Sequence, residues 1–145
     1  MEPRISVITL GVNDLERSLA FYRDGLGLPT DGIIGTEFEG DETRPSGAAV
    51  MFDLNDGLTL ALYPRAELAK DANQPVGVSS PTEFSIGHVV QNKEEVDALL
   101  RRAESVGATV TEEPHDRPWG IYSGYFQDLD GHLWAVIWSP QLVVE

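Results

Sequence analysis

The chain has 145 residues, 41% of them hydrophobic and 23% charged, a composition of one globular domain or of two small modules sharing a core. Its formal net charge is −14, and Arg101-Arg102 is the only adjacent pair among ten scattered Lys and Arg, which argues against nucleic acid and anionic membranes as partners. Cysteine is absent, which excludes disulfides, thiolate metal ligands and a thiol nucleophile and suits the cytoplasm; no apolar run is long enough for a membrane span, and no signal peptide is expected.

Residues 4–12 are rich in β-branched side chains and predict a strand. Asn13, with Glu16 three residues on, predicts a capped helix start. Leu15, Leu19, Tyr22 and Leu26 recur at helical spacing, giving one buried face to a helix that ends near Asp24, where Gly25 and Gly27 stop it. Strands are expected at 30–38, 48–54 and 58–63, the last two joined by the turn Asn55-Asp56-Gly57. Residues 65–72 predict a short helix, and the polar stretch 73–82 reads as a linker. The order then restarts. A strand is expected at 83–90, and Asn92 with Glu95 caps a second helix whose Val96, Leu99, Leu100 and Ala103 face a core and which Gly107 stops. Strands follow at 108–111, 120–128 and 132–139. The turn Asp128-Leu129-Asp130-Gly131 joins the last two, with Asp side chains that bond the nearby backbone and a Gly that tolerates positive φ.

Strand–helix–three strands thus occurs twice. The expected fold is α+β: two βαβββ modules, about 4–72 and 83–140, joined by the linker 73–82 in a single domain. One such module leaves one face of its sheet bare. Two modules can turn their bare faces towards a shared cleft, the expected place for a ligand.

The run Asp14-Leu15-Glu16-Arg17-Ser18-Leu19-Ala20-Phe21-Tyr22-Arg23-Asp24-Gly25-Leu26-Gly27-Leu28 resembles the opening of vicinal oxygen chelate proteins, a superfamily that includes glyoxalase I, extradiol dioxygenases and bleomycin-resistance proteins. Pro118-Trp119-Gly120, Tyr122-Ser123-Gly124-Tyr125-Phe126 and Asp128-Leu129-Asp130-Gly131-His132-Leu133-Trp134 are similar to its closing motif, with Leu129 where the family usually has Pro. The resemblance covers 4–140 and includes the repeat. It implies one divalent metal held by four side chains, typically His or Glu, from the first and last strands of each module. Carried over residue by residue, the positions are Val7 (five before Val12), Ser85 (five before Val90), Ala135 (four after Gly131) and Ala61 in the last strand of the first module. Two Ala and a Val have no side-chain donor and a neutral Ser hydroxyl is weak, so neither a metal nor another cofactor is expected there.

The three histidines were candidates to rebuild a site. His88 is three residues from Ser85, on the opposite strand face, and reads as a partly buried structural residue. His132 reads as an exposed turn residue. His115, in the polar loop 113–118, is either an ordinary loop residue or a metal ligand or general base at the cleft mouth. There is no nucleophile elbow, P-loop or dinucleotide fingerprint.

If Val7 and Ala135 face the cleft, Thr9, Gly11, Gly87, Val89, Leu133 and Ile137 face it too, and its surface is small and apolar. Phe52, Trp119, Tyr122 and Tyr125 would line or lid it, or else belong to the core or a dimer contact. Trp134 and Trp138 share the parity of Val136 and should pack on a helix. The acidic stretches 37–42 and 112–113 would favour a cationic ligand at the rim. The leading expectation is metal-independent binding or sequestration of a small apolar or aromatic molecule, similar to the bleomycin-resistance branch. One alternative is a lyase, isomerase or dioxygenase relative with a displaced metal site or metal-free acid–base chemistry. Another is a regulatory protein whose cavity is vestigial. The resemblance also implies a homodimer, and leaves open whether its clefts lie within or between chains.

Overall fold

Two four-stranded mixed sheets carry the repeat in the computed structural model, which describes residues 1–77, 80 and 83–141. The chain divides into two units, 1–78 and 79–145.

The first unit runs β1 (Val7–Val12), α1 (Leu15–Leu19), β2 (Ile33–Ile34), β3 (Ala49–Asp53), β4 (Thr59–Pro64) and α2 (Arg65–Asp71). Its sheet order is β1-β4-β3-β2, with β1 parallel to β4 and the other pairs antiparallel. The cap of α1 is Asp14, not Asn13: Asp14 is extended, and its carboxylate accepts the Arg17 N–H at 3.0 Å. A π-helical segment, Ala20–Gly25, continues α1, and the Leu26 N–H reaches five residues back to the Phe21 carbonyl at 2.9 Å. The strand expected at 30–38 is cut to Ile33–Ile34. Gly32 and Gly35 on either side take positive φ (87° and 76°) and turn the chain away, and a Cβ at Gly35 would collide with the Gly47 carbonyl. Alternate strand residues build the core: Leu10, Val12, Val50, Phe52, Leu60 and Leu62 are at most 1% exposed. Tyr22 joins them, 6.0 Å from Phe52 and edge-on to Phe21 at 4.9 Å.

The second unit runs β5 (Ile86–Val89), α3 (Lys93–Ser105), β6 (Thr109–Asp116), β7 (Tyr122–Gln127) and β8 (Leu133–Trp138). Its order, β5-β8-β7-β6, repeats the first, with β5 parallel to β8. Asn92 caps α3 by accepting the Glu95 N–H at 2.9 Å, and the Glu95 carboxylate accepts the Gln91 N–H at 2.9 Å. Val96, Leu100 and Ala103 of α3 are fully buried, and the helix lies on β6, β7 and β8. Gly124 permits this approach, since a Cβ there would stand 2.6 Å from Leu100 Cδ1. Trp134 and Trp138 are on the helix side, as their parity implies: Trp134 stacks on Phe126 at 6.0 Å, and the Lys93 ammonium lies 5.6 Å from the Trp138 ring.

β6 is twice the expected length and takes in 113–116 of the stretch 113–118 read as a loop, including His115. It is an edge strand, where Pro114 breaks no ladder, and register shifts between Val110 and Glu112 and between Glu112 and His115 mark its bulges. His132 is not the exposed turn residue that was expected. Its side chain is 10% exposed and its Nδ1 lies 2.7 Å from Asp128 Oδ2, while Asp128 Oδ1 accepts the N–H groups of Asp130 (3.0 Å) and His132 (2.8 Å). Of the expected linker, residues 78, 79, 81 and 82 lie outside the described residues. No helix among the described residues is long and apolar enough to cross a membrane.

Candidate functional site

Each sheet puts one face on its helix, and strand register shows which residues share the other. In the first sheet Thr9 is opposite Ala61 and Ala61 opposite Met51, while Val7 is opposite Thr59 and Thr59 opposite Asp53. Val7, Thr9 and Ala61 therefore share the face turned away from Leu60 and Leu62; Val7 is 53% exposed and Ala61 is buried. Gly11 belongs to the same face but is covered by α2, since a Cβ there would lie 3.5 Å from the Arg65 Cα and from Leu68 Cδ2. Phe52 must be removed from the expected lining. It is opposite Leu60, one position out of step with Met51, and is buried against Tyr22. A hollow of about 320 Å³ opens beside β2, lined by Pro29, Thr30, Asp31, Gly32, Ile34, Met51 and Asp53, and it contains none of the expected site residues.

In the second sheet Ala135 is opposite both Gly87 and Tyr125, and Ile137 is opposite Val89 and Ser123. These residues share the face turned away from α3. A broad hollow of about 450 Å³ lies here, where Ser85, Tyr125 and Leu133 meet Glu83, Phe84, Thr111 and Glu112. The structure thus brings together two of the expected site residues, Ser85 and Tyr125, and sets Ala135 beside Tyr125.

Tyr122 is corrected in the same way as Phe52. It is on the α3 side, opposite Trp138, under the Lys93 ammonium (5.4 Å), with its hydroxyl donating to Asp97 Oδ1 at 2.6 Å. That hydrogen bond to a carboxylate, then burial, pushes its pKa up to about 12. Trp119 occupies a one-turn 3-10 segment, Pro118–Gly120, at φ +64°; it is 81% exposed and lines neither hollow. His88 has the expected parity, opposite Val136, but is exposed instead of partly buried, because β5 is a sheet edge.

His115 is opposite Ser123, on the same face as Tyr125. Its Nδ1 lies 3.1 Å from the Asp116 carbonyl, an acceptor for an Nδ1–H. Nε2 is 3.8 Å from Glu112 Oε1, and the imidazole is half exposed. One residue escaped sequence reasoning. Arg117 lays its guanidinium 5.6 Å from the Tyr125 ring, and nothing in the sequence distinguishes it from an ordinary loop arginine.

Comparison with known proteins adds a second line of observation. The model of the Glyoxalase/Bleomycin resistance protein/Dioxygenase superfamily matches residues 4–136. The chain belongs to that superfamily. Among its relatives, the uncharacterized protein YraH of Bacillus subtilis is 28% identical over 130 residues, covering 87% of this chain and 91% of that protein. A glyoxalase-related enzyme from Fulvimarina pelagi is similar in structure, with a TM-score of 0.80 at 26% identity over 99% of this chain and 93% of that one. Lactoylglutathione lyase from Agrobacterium tumefaciens matches with a TM-score of 0.68 at 25% identity over 100% of both chains.

The glyoxalase superfamily's divalent metal does not fit the residues of this member. Val7, Ala61 and Ala135 have no side-chain donor, and Ser85 has only a neutral hydroxyl. Nor do three His, Asp or Glu side chains gather elsewhere among the described residues in a way that would hold a metal ion.

Proposed function

We propose that this superfamily member binds a small apolar or aromatic molecule on the open face of its second sheet, without the superfamily's metal, and sequesters it unchanged. The observation that carries the proposal is the set Val7, Ala61, Ser85 and Ala135: the residue types that would coordinate a metal and polarise a substrate are missing at all four positions. The hollow beside Ser85 supports it. Tyr125 and Phe84 offer ring faces, Leu133 an apolar wall, and Ser85, Thr111 and Glu112 a few polar atoms to orient a ligand. Its 450 Å³ falls in the roughly 300–1,000 Å³ typical of small-molecule sites. We also take the protein to be a cytoplasmic homodimer, the first from its lack of cysteine and the second from its kinship.

A second reading, metal-free acid–base catalysis, is favoured by one observation: His115 Nε2 faces outward beside Glu112, which lines the same hollow.

Thermal unfolding in excess EDTA with a panel of naphthalene and biphenyl compounds tests the binding reading. A ligand that prefers the native state stabilises it with the logarithm of its concentration, by about 2.7 kcal/mol at a hundredfold excess over Kd, and so raises Tm. A concentration-dependent rise without metal is expected. A rise seen only when divalent metal is restored would overturn metal independence.

A further inference from the structure

The open face of the second sheet is apolar along Val89, Leu133, Ala135 and Ile137, and a single cation lies on it. Arg117 follows β6 in extended conformation (φ −121°, ψ 171°), so its side chain emerges on the same side as that of His115. It lies along β7. Nη2 is 3.5 Å from the Ser123 carbonyl, the guanidinium carbon is 5.6 Å from the Tyr125 ring, and Nε is buried with no hydrogen-bond partner. No carboxylate of the described residues forms an ion pair with it, although the chain has 24 Asp and Glu against 10 Lys and Arg. Two other cations of this unit are paired: Lys93 with Asp116 at 3.2 Å, and Arg101 with Glu104 at 3.0 Å and with Glu113. Burying a guanidinium N–H without an acceptor is costly, and the fork of donors it presents matches a planar oxyanion.

We infer that Arg117 recognises a carboxylate-type anion on the ligand, and that the ligand is a monoanion with an apolar or aromatic body. This rests on the reading of the same face as the binding site. The carboxylate would take the terminal N–H groups of Arg117, Nε itself being buried, and the body would lie over Tyr125 and Leu133. Glu83 and Glu112 line the hollow beside Tyr125, which Arg117 does not line, and would repel a negative group placed there, so the carboxylate is held at Arg117 and the body over the hollow carries none. This reverses the cationic ligand suggested by the acidic stretch 112–113. In the structure Glu113 is engaged by Arg101 and Glu112 stands beside His115, while the Arg117 guanidinium has no ion pair among the described residues.

Isothermal titration in EDTA at low salt decides the matter, using 2-naphthoate, 2-naphthalenemethanol and 2-naphthylmethylamine as probes. The wild type, Arg117→Gln and Arg117→Lys are compared, each checked for native far-UV and near-UV circular dichroism. The naphthoate is expected to bind the wild type at least tenfold more tightly than the alcohol. Arg117→Gln should abolish that preference, bringing acid and alcohol to equal affinity, and Arg117→Lys, with charge but no fork, should keep part of it. Equal affinity for acid and alcohol, preference for the amine, or a carboxylate preference that survives in Arg117→Gln would overturn the role of Arg117 while leaving the binding face intact. If the wild type binds none of the three probes at millimolar concentration, the binding-face reading fails as well.

Discussion

At the scale of single residues, strand parity decides which aromatics meet a ligand. Tyr122 and Tyr125 are three apart on β7 and therefore on opposite faces: one is fixed to α3 through Asp97, the other lines the hollow. Residue type groups them together, and Phe52 with them, although Phe52 has the parity of Val50 and of the core. Applying period 2 to the aromatics would have separated them. The Tyr122 hydroxyl also gives the protein a pH dependence. Its pKa is raised to about 12 from the usual 10.0, so the neutral form is favoured by folding. The resulting stability is fully present below pH 10 and is lost as pH rises through 10 to 12. Urea unfolding from pH 8 to 11.5 should show a steeper alkaline loss of midpoint in the wild type than in Tyr122→Phe; parallel curves would refute the assignment.

At the scale of elements, the strong local signals predicted well. The Asn92–Glu95 capping pair, the 3.6 periodicity of α3 and the Asp-rich turn before β8 all appear in the structure, because each is a short-range interaction complete within a few residues. Two expectations failed at short range, the Asn13 cap, which falls on Asp14, and the exposure of His132; the others depended on distant partners. β6 runs on through Pro114 only because it is a sheet edge, a property that sequence alone does not display. His132 is withdrawn from solvent by a carboxylate four residues away, so its position after a turn was a poor guide. Gly11 has the parity of the open face, yet α2 folds over it. Gly124 shows the opposite case, a residue whose reason is visible only in the packing. Gly124→Ala should cost about 1–3 kcal/mol by forcing α3 off β7, measured by chemical denaturation. A loss under 0.5 kcal/mol would mean that the helix sits further from the sheet than the structure has it.

At the scale of the whole molecule, the repeat and the two end motifs were enough to identify the superfamily, because two βαβββ units need the same turns and apolar positions whatever they bind. Function was less legible. Membership fixes a framework and not a chemistry, and at the four positions that the resemblance matches to metal ligands this chain carries Val7, Ala61, Ser85 and Ala135. Arg117 was invisible in the sequence because its significance lies in what it lacks, an ion pair among the described residues although Asp116 precedes it, and that is a three-dimensional fact.

The most direct test of the account is the metal content of the purified protein. It would be incubated in turn with Zn, Ni, Mn and Fe(II), desalted, and measured by elemental analysis. Far less than one equivalent per chain is expected for every metal, with no shift in Tm on adding EDTA. One equivalent retained, and lost with EDTA alongside a fall in Tm, would contradict it and place a metal-dependent enzyme first.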